Sequence, residues 1–380
     1  MSLDYQTLPL WREDSHENPA YLSSQLITCI GNKRALLGHL AKAIADVKTR
    51  LGKKRLRMFD AFAGSGVVSR FFKQHAEYLV SNDCEKYAAT VARCYLSNHS
   101  DVDLTEINNI VEHMNNRVDE VDLPQGFIEE LYAPNDEQSI TKNDRVFYTK
   151  SNARRLDNYR RIISEISPGL QQLLLGPLLS EASIHANTAG VFKGFYKDGK
   201  TGLGRFGGSN GDALKRIKGE IRIDVPILSQ FECDVKVYQK NVNDLVGDLP
   251  AFDIAYIDPP YNQHPYGSNY FMLNLLIDYV RPINISRVSG IPTDWQRSDY
   301  NVRSRCLSRF AELINSIDAA YLLISFNNEG FISPEEMQRL LTKLGRLETI
   351  DIPYTAFRGS RNFERRSIHV TEHLFLVERA

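Results

Sequence analysis

Apolar residues follow helical and strand-like spacings in turn along the first quarter of the chain. The stretch Leu36 to Val47 has helical spacing and precedes Gly52, which predicts a helix ending there. Apolar runs of strand length occupy 56–62 and 78–83, and a second helical pattern covers 85–96. A glycine turn and an apolar helix start lie between the two runs, an order typical of a β-α-β unit.

The same alternation returns in the second half of the chain. Apolar runs at 235–239, 252–257 and 320–326 predict three further strands. Two final extended segments, 347–352 and 373–377, have only a loop between them, which favours an antiparallel pair. The pattern therefore predicts an α/β fold whose sheet is mostly parallel and ends in an antiparallel C-terminal strand.

From about residue 101 to 232 the alternation stops. This region has polar helical stretches, a leucine-rich stretch at 170–179 and a glycine- and lysine-rich segment at 190–211 without strong periodicity. Long loops inside a compact domain are usually functional. We therefore expect an inserted lobe rather than a continuation of the sheet.

The composition is that of an ordinary globular protein. The 380 residues are 42% hydrophobic and 24% charged, with a formal net charge of -1, so a surface for nucleic acid must be local. Such a cluster occurs at 193–222, where eight basic residues face three acidic ones, a local excess of +5. Charge runs are often only solvated faces, but an excess of this sign also suits phosphate contacts.

Cysteine usage and hydrophobicity indicate the compartment. The five cysteines are widely separated and form no C-x-x-C pair, which favours free thiols in a reducing environment. We find no signal-peptide core and no apolar run of membrane-spanning length. The histidines show no metal-ligand spacing. We therefore expect a cytoplasmic protein without a bound metal.

The glycine turn after the first strand has an acidic partner. Gly64 and Gly66 allow close approach of a ligand, and Asp83 closes the next strand 19 residues after Gly64, the spacing at which an acidic residue reaches ribose hydroxyls. Ser69 replaces the third glycine of a dinucleotide fingerprint, and no G-K-[ST] phosphate loop occurs. A phosphate-free nucleoside such as S-adenosylmethionine fits this turn. The alternative is a turn that serves packing alone.

A second motif, Asp258-Pro259-Pro260-Tyr261, directly follows the apolar run 252–257. Two prolines cannot continue a central strand, so the chain leaves the sheet where open α/β folds bind ligands. The Asp258 carboxylate and the Pro259 carbonyl can accept hydrogen bonds from an exocyclic amino group, and Tyr261 can stack on its ring. A base in a duplex reaches such a pocket only when flipped out, at a cost of a few kcal/mol. The alternative is a strand end capped by Asp258.

From about Tyr21 to the C-terminus, the order of glycine turn, insertion and Asp-Pro-Pro-Tyr turn resembles the alpha class of DNA adenine-N6 methyltransferases, which includes the Dam enzymes and methylases similar to that of FokI. Asn262, Tyr266 and 325–330 resemble elements of the FokI-like branch. The resemblance implies a Rossmann-like S-adenosylmethionine-dependent methyltransferase sheet with an inserted target-recognition domain. It further implies an N-terminal tail at 1–20, a catalytic domain at 21–120 and 233–380, and the target-recognition domain at 121–232.

The resemblance also assigns roles to residues. Lys33, in the motif Ile30 to Lys33, is expected near the methionine carboxylate, and Asp83 on the ribose. Asn241 stands where the family usually has an aspartate that contacts the adenine of the cofactor. The expected cofactor-binding residues are Lys33, Phe62, Ala63, Gly64, Gly66, Asp83, Asn241 and Asp258, and the expected catalytic residues are Asp258, Pro259, Pro260 and Tyr261.

Double-stranded DNA is the partner that the resemblance implies, together with a cognate restriction endonuclease acting on the same site. The expected DNA-binding residues are Lys193, Lys197, Arg205, Arg358 and Arg361, with an arginine group at 154–161 extending the surface. A cytosine-N4 or RNA adenine methyltransferase of the same fold, and an inactive DNA-binding homologue, stay open as alternatives. Asp258 favours adenine over cytosine, because the cytosine-N4 enzymes more often have Ser there.

Overall fold

The computed structural model describes residues 17–29, 31–120, 122–208, 211–328, 330–355 and 369–380. Its strands form one seven-stranded sheet in the order β3-β2-β1-β4-β5-β7-β6. The strands are β1 (Leu56–Asp60), β2 (Ala76–Asn82), β3 (Asp234–Tyr238), β4 (Phe252–Ile257), β5 (Ala319–Asn327), β6 (Gly345–Thr355) and β7 (His369–Arg379).

The first five strands are parallel, and β7 runs antiparallel to both β5 and β6. The predicted α/β class and the antiparallel C-terminal pair are therefore confirmed. All six residues of β4 are buried, as expected for a strand in the middle of a covered parallel sheet. The strand order reverses between β1 and β4, so a crevice opens at their carboxyl ends.

The helices pack on both faces of this sheet and in the region 101–232. They are α1 (Pro19–Ser23), α2 (Leu37–Leu51), α3 (Val67–Lys73), α4 (Lys86–Tyr95), α5 (Leu104–Val118), α6 (Phe127–Tyr132), α7 (Lys150–Glu165), α8 (Pro168–Ile184), α9 (Leu214–Lys218), α10 (Val242–Leu245), α11 (Tyr266–Asn269), α12 (Phe271–Asp278), α13 (Arg303–Ser316) and α14 (Pro334–Leu341). Gly52, in the left-handed conformation with φ +64°, ends α2 where the sequence predicted. None of these helices has the length and apolar character needed to cross a membrane.

Helices α5 to α9 lie within the region where the sequence alternation stops. The leucine-rich α8 is buried along most of its length and packs against α4. A Cβ added to Gly176 would lie 2.5 Å from Cys94 Sγ, so glycine permits this close approach. One continuous apolar cluster joins Tyr87 of α4, Leu174 of α8 and Phe271 of α12. The division into a catalytic domain and a domain at 121–232 stays a prediction.

Candidate active site

The glycine turn between β1 and α3 lies against the end of β2. Gly64 and Gly66 have φ of +53° and +74°, a left-handed conformation that glycine adopts without strain. The Gly64 N–H donates to Asp83 Oδ2 at 2.8 Å, and the Glu85 N–H donates to Asp83 Oδ1 at 2.8 Å. The residues that the sequence paired at a spacing of 19 are thus in direct contact. Burial raises the pKa of Asp83, and these two hydrogen bonds oppose it.

Lys33 begins a 3₁₀ turn, Lys33–Leu36, which Asn32 caps by accepting from the Arg34 N–H at 2.9 Å. The lysine is 6% exposed. Its Nζ lies 3.2 Å from Asp258 Oδ1 and 2.5 Å from Glu372 Oε1. Burial alone would lower the pKa of Lys33, but the surrounding anionic groups outweigh it and hold the pKa well above its usual value.

Asp258 follows β4 directly, at the crevice formed by the strand order. Burial raises the pKa of Asp258 to about 7, against the opposing effect of Lys33. The Lys33 ammonium approaches Oδ1 outside hydrogen-bonding alignment, and no other described residue donates to this buried oxygen. Oδ1 is therefore available to a donor from a substrate.

Tyr261 is held beside this carboxylate from two sides. Its ring makes an edge contact with Phe326 of β5, with ring centroids 5.5 Å apart, and Lys33 Nζ lies 5.7 Å from its centroid. The Phe331 N–H donates to the Tyr261 carbonyl at 2.9 Å, and Asn301 Nδ2 donates to the Asn262 carbonyl at 2.7 Å. The turn after β4 is thus anchored by hydrogen bonds to one residue that precedes β5 in the sequence and one that follows it.

A cleft that is partly open to solvent joins the glycine turn to the Asp-Pro-Pro-Tyr turn. The expected site residues that line it are Lys33, Phe62, Ala63, Gly64, Asp83, Asp258 and Pro260. Its described lining includes Asp83, Glu85 and Asp258 but a single basic side chain, Lys33. An acidic cleft of this kind suits a cationic ligand.

Two expected cofactor-binding residues lie off this cleft. Asn241 borders an adjoining cavity of about 420 Å³ that shares Phe62 and Gln296 with it, and its side chain caps α10 by accepting from the Asn243 N–H at 3.2 Å. Gly66 forms the start of α3, where an added Cβ would meet Val91 at 3.6 Å. Gly66 thus shapes the turn without lining the cleft.

The cleft has a wall that the sequence did not predict. Residues 292–301, which we name the cleft strap, contribute Gln296, Ser298 and Asn301 to the lining. An added Cβ at Gly267 of α11 would lie 2.4 Å from the Gln296 carbonyl oxygen, so the strap rests directly on glycine. Pro292, Asp294 and Asp299 are residue types common in loops, and they do not by themselves indicate a wall of a ligand site.

Glu372 is a second residue that the sequence did not single out. It is 3% exposed, and its Oε1 accepts from Ser325 Oγ at 2.6 Å as well as from Lys33. One local sign of its burial was present in the sequence, because Glu372 has the parity of the buried Leu374 and Leu376 along β7. An acidic residue at such a position requires a partner.

The basic residues expected to face DNA differ in their surroundings. Lys193 and Arg205 are exposed, and Arg205 lies 3.7 Å from Asp198. Lys197 Nζ lies 5.2 Å from the Phe195 ring centroid. Arg358 and Arg361 lie outside the described residues.

The arginine group at 154–161 is engaged within the protein. Arg155 is 4% exposed and pairs with Asp119 and Glu220, so it cannot extend a DNA-facing surface as expected. Arg154 pairs with Glu129, and Arg160 donates to the Ile277 carbonyl. The arginine side chains of α7 thus bind carboxylates and backbone carbonyls within the protein.

Comparison with known proteins shows which family the chain matches. A family model described as D12 class N6 adenine-specific DNA methyltransferase matches residues 30–288. The chain is 27% identical over 359 residues to the type II methyltransferase M.NlaIII of Neisseria lactamica, covering 92% of this chain and 98% of that protein. It is 25% identical over 338 residues to the type II methyltransferase M.CviAII of Paramecium bursaria Chlorella virus 1, covering 87% and 93%. The type II methyltransferase M.FokI of Planomicrobium okeanokoites is 24% identical over 365 residues, which are 92% of this chain and 52% of that protein.

Proposed function

The chain belongs to the D12 class of N6 adenine-specific DNA methyltransferases, and from this premise we propose that it flips a target adenine out of duplex DNA and directs a methyl group onto N6 without a covalent enzyme intermediate. The observation that carries this proposal is the buried Asp258 Oδ1, which has no hydrogen-bond donor among the described residues and lies in the same cleft as the glycine turn. Membership of the class makes the protein an adenine-specific DNA methyltransferase, and it sets aside the cytosine and RNA alternatives.

We propose S-adenosylmethionine as the methyl donor, which methyltransferases use generally. When bound, it supplies a sulfonium methyl group. Asp83 would hold the ribose hydroxyls with the lone pairs that its backbone donors leave free, and Lys33 would lie near the methionine carboxylate. Asn241 would lie towards the adenine, through the adjoining cavity. The acidic lining suits the positive charge of the donor.

Asp258 and Pro259 would act on the amino nitrogen of the target. The lone pair of this nitrogen is delocalised into the adenine ring, so the amino group is a poor nucleophile. Acceptors aimed at its two protons, Asp258 Oδ1 and the Pro259 carbonyl, would localise the lone pair and stabilise the positive charge that develops on nitrogen. Tyr261, fixed against Phe326, would stack on the ring.

Replacing Asp258 tests this role. Asp258→Ala should lower the rate of methyl transfer to DNA by at least about 100-fold, because a preorganised acceptor is lost. Binding of S-adenosylmethionine, measured by titration calorimetry, should stay close to that of the wild type. Asp318→Ala is the matched control, because Asp318 is exposed and lies just before the amino end of β5, whereas Asp258 lies at the carboxyl end of β4. Undiminished transfer by Asp258→Ala would remove this residue from the mechanism.

Flipping has its own test. A 2-aminopurine base placed at the target adenine should become strongly fluorescent when the protein binds the duplex, since flipping removes it from the base stack. The same base one position away should change little. An unchanged signal at the target position, with binding verified by gel shift, would contradict flipping.

We propose in addition that residues 121–232 select the DNA sequence and that the protein works in the cytoplasm beside a restriction endonuclease with the same site. The names of M.NlaIII, M.CviAII and M.FokI as type II methyltransferases support this pairing. DNA methylated to completion should resist an endonuclease that cuts the mapped sequence. Cleavage at the unmethylated rate would contradict this protective role.

A further inference from the structure

Glu372 brings an additional carboxylate to the site through the topology of the sheet. Because β7 runs antiparallel to β5, its first residues lie at the carboxyl end of β5, where Glu372 is opposite Asn327. Parallel pairing of β4 and β5 places Ile257, the residue before Asp258, opposite Ile324. The C-terminal strand β7 thus places Glu372 at the carboxyl ends of β4 and β5, where Asp258 lies.

Glu372 and Asp258 share one ammonium group. Lys33 Nζ is 2.5 Å from Glu372 Oε1 and 3.2 Å from Asp258 Oδ1, so the lysine is held more closely by the glutamate. Ser325 Oγ donates to the same glutamate oxygen at 2.6 Å. Two donors therefore fix the Glu372 carboxylate, and hydrogen bonds between charged groups are stronger than those between neutral ones.

This asymmetry decides what Asp258 can offer to a substrate. A lysine hydrogen-bonded to Asp258 would use a lone pair of Oδ1 and weaken this oxygen as an acceptor for a further donor. With Glu372 competing for it, the ammonium stays close enough to compensate the buried charge of Asp258 but out of hydrogen-bonding alignment.

We propose that Glu372 is a positioning residue for methyl transfer, which holds Lys33 so that Asp258 Oδ1 stays free to accept from the target amino group. The inference rests on the proposed function, because it assumes that Asp258 acts on this amino group. It differs from a purely structural role, in which a buried ion pair affects how much protein is folded but not how fast the folded protein reacts.

A single-turnover experiment separates the two roles. Pre-formed equimolar enzyme–DNA complex is mixed with a saturating excess of labelled S-adenosylmethionine and the first turnover is followed, so the rate constant reports the chemical step and the amplitude reports the active fraction. Glu372→Gln keeps the shape of the side chain and removes its charge, so Lys33 should move onto Asp258. We expect the rate constant to fall by about tenfold, with the amplitude retained, because an acceptor aimed at the reacting group is weakened.

Glu378→Gln is the matched control. It makes the same change on the same strand, at a partly exposed residue that pairs with Arg50, and it should leave the rate constant unchanged. If Glu372→Gln yields no folded protein, Ser325→Ala takes its place. That variant removes one donor from Glu372 Oε1 and should lower the rate constant by a smaller factor.

Three results are decisive. A lower rate constant at retained amplitude supports the inference. An unchanged rate constant, or a loss of amplitude alone, overturns it while leaving the proposed function in place, provided that the wild type methylates adenine in parallel. Absence of adenine methylation by the wild type would instead overturn the proposed function.

Discussion

Burial destabilises the charged form of Asp258, because this residue directly follows the fully buried strand β4. The sequence predicted this residue, Asp83 and Gly64, because each stands at a strand end with a recognisable neighbour. It did not predict Glu372, because the partners of Glu372 are 339 and 47 residues away along the chain. Side-chain contacts over such separations depend on strand register, which local patterns do not contain.

The pKa of Asp258 leads to a prediction for the pH dependence of activity. Burial raises this pKa to about 7, and Asp258 must be ionised to accept from the amino group. With DNA saturating, kcat/KM for S-adenosylmethionine should therefore fall by about tenfold per pH unit below about pH 7 and level off above it. The measurement is initial rates across a pH series at constant ionic strength.

Glu85 provides the control for this assignment, because burial raises its pKa to about 7 as well. Glu85→Gln should keep the acid limb of the profile. A wild-type profile that stays flat down to about pH 5.5 would contradict a carboxylate with the raised pKa as the acceptor.

At the scale of elements, the sequence predicted where the strands occur better than it predicted their order in the sheet. The two C-terminal segments were expected to pair, and they do, but the sequence did not predict that β7 would lie between β5 and β6. Periodicity does not specify strand order, which depends on how the connections cross the sheet. The cleft strap was missed for a related reason, since its place over the cleft depends on contacts between distant segments, such as Gly267 of α11 against Gln296.

Gly267 gives the prediction for this element. Gly267→Ala would place a Cβ 2.4 Å from the Gln296 carbonyl oxygen, so the cleft strap must move. We expect KM for S-adenosylmethionine to rise by about tenfold, because residues that line the cleft are misplaced. Steady-state kinetics measure this effect. Gly247→Ala, which would meet no atom within 4 Å, should leave KM unchanged. A wild-type KM in Gly267→Ala would remove the cleft strap from cofactor binding.

At the scale of the whole molecule, charge is distributed unevenly. The net charge of -1 hides an acidic cleft and a basic stretch at 193–222. The sequence identified the basic stretch but overstated it, because Arg216 donates inward to the Ala186 carbonyl and Arg222 pairs with Asp119. Counting charges along a chain does not show which of them are already paired.

The salt dependence of DNA binding tests the basic residues that remain exposed. Arg205→Ala should weaken DNA binding and reduce the slope of log K against log salt by about one unit, because one phosphate contact is lost. Fluorescence anisotropy over a salt series measures this slope. Arg346→Ala removes the same charge from an exposed residue of the edge strand β6 and should not change the slope. Equal slopes for Arg205→Ala and the wild type would exclude Arg205 from phosphate contacts.

The most direct measurement of the central claim is to locate the transferred methyl group. The protein is incubated with labelled S-adenosylmethionine and duplex DNA, and the methylated positions are mapped by single-molecule sequencing. We predict N6-methyladenine at one short recurring sequence, with no label in Asp258→Ala. Methyl groups on cytosine, or on RNA alone, would contradict the account.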